Sequence, residues 1–194
     1  AGGADALIEQ ARLDAARATL DEEFAFVAAC NEGGETMAPE HVARLRRIAE
    51  RRWLRTLDDR LGLSADERRR RGPGAALPVS EALLADKPEH RIPRGPDDII
   101  APDNPWGFRL NVPELLYNRG ELANLSIARG TLTDEDRYKI NEHIVQTIRM
   151  LGELPFPRHL KAVPEIAGGH HEQMDGSGYP RGLTRDQMSP VARM

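Results

Sequence analysis

Cysteine is almost absent from this chain: Cys30 is the only one in 194 residues. That excludes an internal disulfide framework and fits a reducing, cytoplasmic setting. There is no run of eighteen apolar residues, so no membrane span is expected. Ala1-Gly2-Gly3-Ala4-Asp5 carries no charged leader followed by an apolar stretch, so no signal peptide is expected either. Positive charge is not in excess. The net charge is -4, which gives no general affinity for DNA or other nucleic acid. An alternating apolar-polar pattern is missing throughout, so the expectation is an all-α chain. The first residue is not Met, and Val191-Ala192-Arg193-Met194 carries no helix stop signal. The sequence therefore reads as a piece of a longer protein.

Helix formers are plentiful. From about Asp5 to Cys30 the chain is rich in Ala, Leu, Glu and Arg. Leu13, Leu20 and Val27 are spaced by seven, with Ala16 and Phe24 on the same face, which predicts an amphipathic helix. Asn31-Glu32-Gly33-Gly34 breaks it. Pro39 opens a second helix, expected to run to about Gly62 with Val42, Leu45, Ala49, Trp53, Leu57 and Leu61 along one side. The pair reads as a helical hairpin extension over residues 1–71. Such a hairpin also suits a dimerising stalk, so a homodimer through these helices is one partner call. Ser64-Ala65-Asp66-Glu67 is a capping box for a short helix. The following Arg68–Arg71 run reads as its solvated end.

Residues 72–113 differ in kind. They hold eight of the fourteen prolines and read as an irregular connection, with a helical turn at Ser80–Ala85. Ile99-Ile100 and Trp106–Phe108 are candidate anchors to the domain surface, and His90 reads as a surface histidine. Residues 114–194 are the third segment. Thr133-Asp134-Glu135-Asp136 is a second capping box, opening a helix to about Leu154 with Ile140, Ile144, Ile148 and Leu151 as its buried stripe. Pro155 and Pro157 end it. A further helix is expected from about His159 to His171, and a turn at Thr184–Met188 precedes a last helix.

The densest polar cluster is Gly168–Leu183, GGHHEQMDGSGYPRGL. Neutral imidazoles and carboxylates bind Fe, Mn, Zn or Ni. Glycines let a backbone approach closely, and proline fixes a turn. Adjacent residues on a helix diverge by roughly 100°, so His170 and His171 can share a site only at a helix end or facing two metals.

His170-His171-Glu172, Asp175-Gly176 and Gly178-Tyr179-Pro180 with Leu183 resemble the signature of the HD-GYP domain family. That family is a branch of the HD superfamily of metal-dependent phosphohydrolases, whose known activity is hydrolysis of bacterial cyclic di-GMP. The resemblance implies an all-α, HD-GYP-like helical bundle in a bacterial signal-transduction protein. It implies that His143, His170 and His171 bind a divalent transition metal such as Fe or Mn. It also implies that Asp175, Gly176, Gly178, Tyr179, Pro180 and Arg181 form a loop binding cyclic di-GMP or a related cyclic dinucleotide, with GGDEF-domain proteins as further partners.

The sequence also departs from the family pattern. Gly130-x-Leu132-Thr133 fixes the register, and counting back puts Glu114-Leu115 where the family has His-Asp and Asn118 where it has Lys. Glu114 remains a candidate metal ligand, whereas Leu115 cannot bridge metals and Asn118 carries no charge. Ala192-Arg193-Met194 matches the stretch that precedes a last aspartate ligand in the family. No residue is assigned as catalytic. The expectation is a module of cyclic di-GMP signalling with impaired hydrolysis; the alternative is a non-catalytic nucleotide- or GGDEF-binding module.

Overall fold

The computed structural model describes residues 2–193; Ala1 and Met194, with the Ala192-Arg193-Met194 match that ends on it, reach outside the described residues. The chain is mostly helical. It forms two compact units, residues 1–91 with 118–132, and residues 92–117 with 133–194.

The first unit begins with α1 (Gly2–Glu32) and α2 (Pro39–Ala49). Leu45, Ile48 and Ala49 of α2 are buried. The last third of α1 is tied to α2 by Arg44–Glu22 at 2.7 Å and an edge contact of Phe26 with His41, and to the residues just after α2 by Arg51–Glu23 at 2.8 Å. Earlier in α1, Leu7, Leu13 and Leu20 are exposed.

The second helix stops at Ala49, well short of Gly62. Strand β1 (Arg52–Arg55) follows and pairs antiparallel with β2 (Val79–Ala82), Trp53 opposite Glu81. This corrects both the long second helix and the turn expected at Ser80–Ala85. Tertiary pairing overrides the local helical preference of this stretch. The pairing also draws Arg55 inside. It is 6% exposed and meets Glu81 at 2.9 Å and Asp59 at 3.6 Å. Arg71 and Lys87 join the same carboxylates, Arg71 reaching Asp59 at 2.9 Å and Lys87 reaching Glu81 at 3.3 Å. The arginine run is therefore solvated only in part: Arg71 is half-buried in this network. Helix α3 (Ala65–Arg71) starts on the expected box, with Ser64 and Glu67 capping each other. α4 (Glu121–Leu125) completes the unit and packs on α1 and α2.

Strands β3 (Arg91–Pro93) and β4 (Leu115–Asn118) form a second two-stranded sheet. The expected helical class stands, and these short sheets are the correction to a chain without strands. Segments this short show too little alternation to be read from sequence.

The second unit is built on α5 (Asp134–Gly152), which starts at the Thr133–Asp136 capping box. Its buried residues are Tyr138, Ile144, Val145 and Ile148, while Ile140 is 54% exposed. Ile140 lies about 140° around the helix from Val145 at 100° per residue, so it faces away from the core. Phe108 packs among Ile144, Val145 and Ile148, with Ile100, Trp106, Leu110 and Tyr179 around them. Ile100, Trp106 and Phe108 thus anchor the proline-rich segment, whereas Ile99 is exposed. Arg149 caps the stacked Trp106–Phe108 pair, 4.9 Å from the Trp106 ring.

α6 (Val163–Gly168) packs on α5. Pro164 sits in its first turn, where proline needs no N–H partner, so it starts this helix rather than weakening a longer one. The helix ends before His170. Gly168 is required at the crossing, because a Cβ there would stand 2.8 Å from Ile148 Cγ1.

Candidate metal centre

The imidazoles of His143, His170 and His171 converge. One ligand nitrogen from each lies within 4.8 Å of the others. His143 projects from the solvent side of α5, about 160° around the helix from Val145. His170 and His171 follow the C-terminus of α6, where the chain leaves the helical spiral and two neighbouring rings can face one point. The ring centroids of His170 and His171 are 4.0 Å apart, and those of His143 and His171 are 5.1 Å apart.

Backbone carbonyls fix the tautomers. His143 Nδ1 lies 2.6 Å from the Ile140 carbonyl oxygen, and His170 Nδ1 lies 2.7 Å from that of Ala167. A carbonyl can only accept, so each Nδ1 carries a proton and Nε2 is the nitrogen left to ligate a metal. His143 Nε2 and His171 Nε2 are 3.2 Å apart. Two ring nitrogens that close can share one proton or face one ion. Burial lowers the pKa of His171, and the neighbouring His170 and His143 lower it further. All three effects favour the neutral His171 ring, the form that ligates metals.

The donor set fits one divalent ion of intermediate hardness, held by three nitrogens. Among the described residues no carboxylate or thiolate belongs to this group. Glu114 is exposed beside the start of β4 and is not brought to the histidines. Leu115 is 8% exposed, built into the strand. Asn118 ends that strand, its Oδ1 accepting from the Gly120 N–H at 3.0 Å.

The loop beyond the histidines is internally bonded. Asp175 accepts from the backbone N–H of Ser177 at 2.9 Å and from its hydroxyl at 2.6 Å, which holds its carboxyl below the usual range. Gly178 runs so close to the chain that a Cβ would stand 2.2 Å from Gln173 N and 2.4 Å from Glu172 Cα. Gly176 has φ +84° and sits one residue after the Asp175–Thr184 bridge. The Tyr179–Pro180 bond is cis, and Pro180 is buried. Tyr179 stacks on His171. Arg181 points Nε at the Trp106 carbonyl, 2.8 Å away.

Two participants were named from sequence without a role in holding this loop. Glu172 accepts the backbone N–H groups of Arg181 and Leu183, each at 2.7 Å. The Trp106–Arg109 stretch holds the same loop, the Arg109 N–H donating to the Pro180 carbonyl at 2.7 Å. An acid beside a glycine-rich turn was the available signal for Glu172. The Trp106–Phe108 stretch was legible as an anchor, but its bond to the loop was not.

A family model for the HD domain matches residues 78–194. The chain belongs to the HD domain family. The chain is similar to a 3'3'-cGAMP-specific phosphodiesterase of Vibrio cholerae, 34% identical over 84 residues, covering 41% of this chain and 17% of that protein. It is similar too to a cyclic di-GMP phosphodiesterase of Pseudomonas aeruginosa, 39% identical over 84 residues, covering 41% of this chain and 20% of that one. The aligned stretch thus spans a fifth or less of these curated relatives. No solved structure gives a significant match. Among the described residues no helix is long and apolar enough to cross a membrane.

Proposed function

We propose that this chain carries an HD-GYP-type, metal-binding module of cyclic dinucleotide signalling in which phosphodiester hydrolysis is weak or lost. The convergence of His143, His170 and His171 within 4.8 Å carries the reading. These three residues would hold a divalent transition metal such as Fe or Mn. Such an ion supplies Lewis acidity toward a phosphoryl oxygen and acidifies a bound water. The protein's own part is to present two Nε2 lone pairs, fixed by the Ile140 and Ala167 carbonyls. The neighbouring loop from Asp175 to Arg181 would face a cyclic dinucleotide such as cyclic di-GMP, the class on which both relatives are named as acting.

Weak hydrolysis follows from the donor set. Phosphodiester cleavage by closely spaced metals needs carboxylates to bridge them, and Leu115 and the exposed Glu114 offer no bridge here. A binding role is the consequence, with the loop open to the nucleotide or to a GGDEF-domain partner. Exposed Leu7, Leu13 and Leu20 on α1 are compatible with self-association through the N-terminal region.

The deciding experiment is metal analysis of the purified full chain, followed by calorimetry and turnover with cyclic di-GMP and 3'3'-cGAMP. One ion per chain, measurable nucleotide affinity and little turnover are expected. Turnover at ordinary enzyme rates would refute the impairment. A chain that binds neither metal nor nucleotide would refute the whole reading.

A further inference from the structure

Glu172 follows directly on two candidate ligands, yet its carboxylate is not part of the clustered ligand group and bonds to the loop instead. Both of its oxygens are in use. Oε1 accepts the Arg181 N–H and Oε2 accepts the Leu183 N–H, each at 2.7 Å. These two donors are two residues apart, so one side chain closes the return limb of the loop like a staple. Short bonds from N–H groups to an ionised carboxylate are the strong kind. The outgoing limb is closed by the backbone, where the Tyr179 N–H donates to the His171 carbonyl at 3.1 Å. Between the limbs, Gly178 passes against the backbone of Glu172 itself.

The result is a fixed place for one ring. Tyr179 lies on His171, with centroids 4.6 Å apart and planes 13° apart. It also packs against the Phe108, Ile144, Val145, Ile148 core. His143 and His170 each have a backbone carbonyl holding Nδ1. His171 is oriented by the Tyr179 ring on its face and by Nε2 against His143.

We propose that Glu172 is a positioning residue for the metal centre, acting through the loop and Tyr179 to hold the His171 ring in line with the other two imidazoles. It is not itself a ligand. This inference rests on the reading of the three histidines as a metal site. Mutation of groups that orient metal ligands typically lowers affinity about 10–100-fold. Glu172→Gln keeps the shape but can accept only one of the two N–H groups. It should weaken Mn(II) or Co(II) binding about tenfold or more.

The test uses the full chain and two readouts. Metal affinity comes from calorimetry with Mn(II) and Co(II). The His171 ring resonances come from NMR of the metal-free protein, where the stacked Tyr179 ring shifts them upfield. Glu172→Gln is expected to lose that shift and to weaken both metals, with Tyr179→Leu doing the same while Glu172 stays bonded, and Tyr179→Phe retaining wild-type behaviour. An unmoved His171 signal together with unchanged metal affinity in Glu172→Gln would overturn the proposal, even if the melting temperature fell. Should Glu172→Gln fail to fold, Tyr179→Leu with unchanged metal affinity overturns it as well. A wild-type chain that binds no metal would refute the metal reading separately, and the NMR readout would still decide whether Glu172 sets the place of His171.

Discussion

Tyr179 lies almost flat on His171, with the planes 13° apart and the centroids separated by 4.6 Å. The stacking joins the two halves of the loop chemistry. His171 loses water on one face, and that burial pushes its pKa down. Tyr179 is pushed up by the same cause. Burial thus favours the uncharged form of both rings.

Removing a ligand should cost more than removing a support. His143→Ala is expected to lower metal affinity beyond the roughly 10–100-fold of a lost outer partner, as read by metal content after dialysis. The helix should survive, because His143 is exposed and α5 is held by Ile144, Val145 and Ile148. Unchanged metal content in His143→Ala would remove it from the site.

Gly178→Ala tests the close approach in the loop. The added methyl would stand 2.2 Å from Gln173 N, so backbone must move. A loss of about 1–3 kcal/mol in stability is expected, the usual cost of overpacking. It is measured by urea unfolding, alongside a loss of cyclic di-GMP affinity. Unaltered stability and affinity would mean that the loop is slack.

Leu115→Asp restores the family's residue on paper. No gain in hydrolysis is expected, since Leu115 is a buried residue of β4 whose replacement by a carboxylate disrupts its surroundings. Losing the apolar side chain alone costs about 2–5 kcal/mol, and an unpaired buried carboxylate adds to that. Recovery of cyclic di-GMP turnover in Leu115→Asp would contradict this placement.

Acid should act on the first unit. Glu81, bonded mainly to Arg55, has its pKa lowered from 4.5 to about 2. Its folded pKa is depressed, so its contribution to stability is complete above about 4.5 and is lost as pH falls toward about 2. Asp58, also near 2 because of Arg60, acts in the same window. Urea midpoints measured from pH 6 down to pH 2 should fall, and Glu81→Gln should flatten part of that slope. An equal slope in the variant would show that Glu81 contributes nothing.

The parts legible in the sequence were those with a local signal. Ser64 and Thr133 announce their helices because capping boxes are short-range chemistry. The His143, His170 and His171 group was legible through a dense motif rather than through periodicity. The strands escaped notice because each is at most four residues long and gains its partner from a distant stretch. Arg55 illustrates the reason: nothing within its own neighbourhood says that Glu81, twenty-six residues on, will take it inside. Ile140 was misplaced because an i, i+4 series drifts around a helix, so its ends need not share the face of its middle.

The order in which the chain serves its two units has a practical corollary. Residues 118–132 belong with 1–91, and 92–117 with 133–194. Trimming the gene to the stretch that matches the HD family, 78–194, would delete β1 and leave β2 with a bare edge and Glu81 without its arginine. Exposed unpaired edges invite aggregation. A minimal fragment should therefore behave worse in solution than the longer chain, and activity assays belong on protein that keeps Arg52–Arg55.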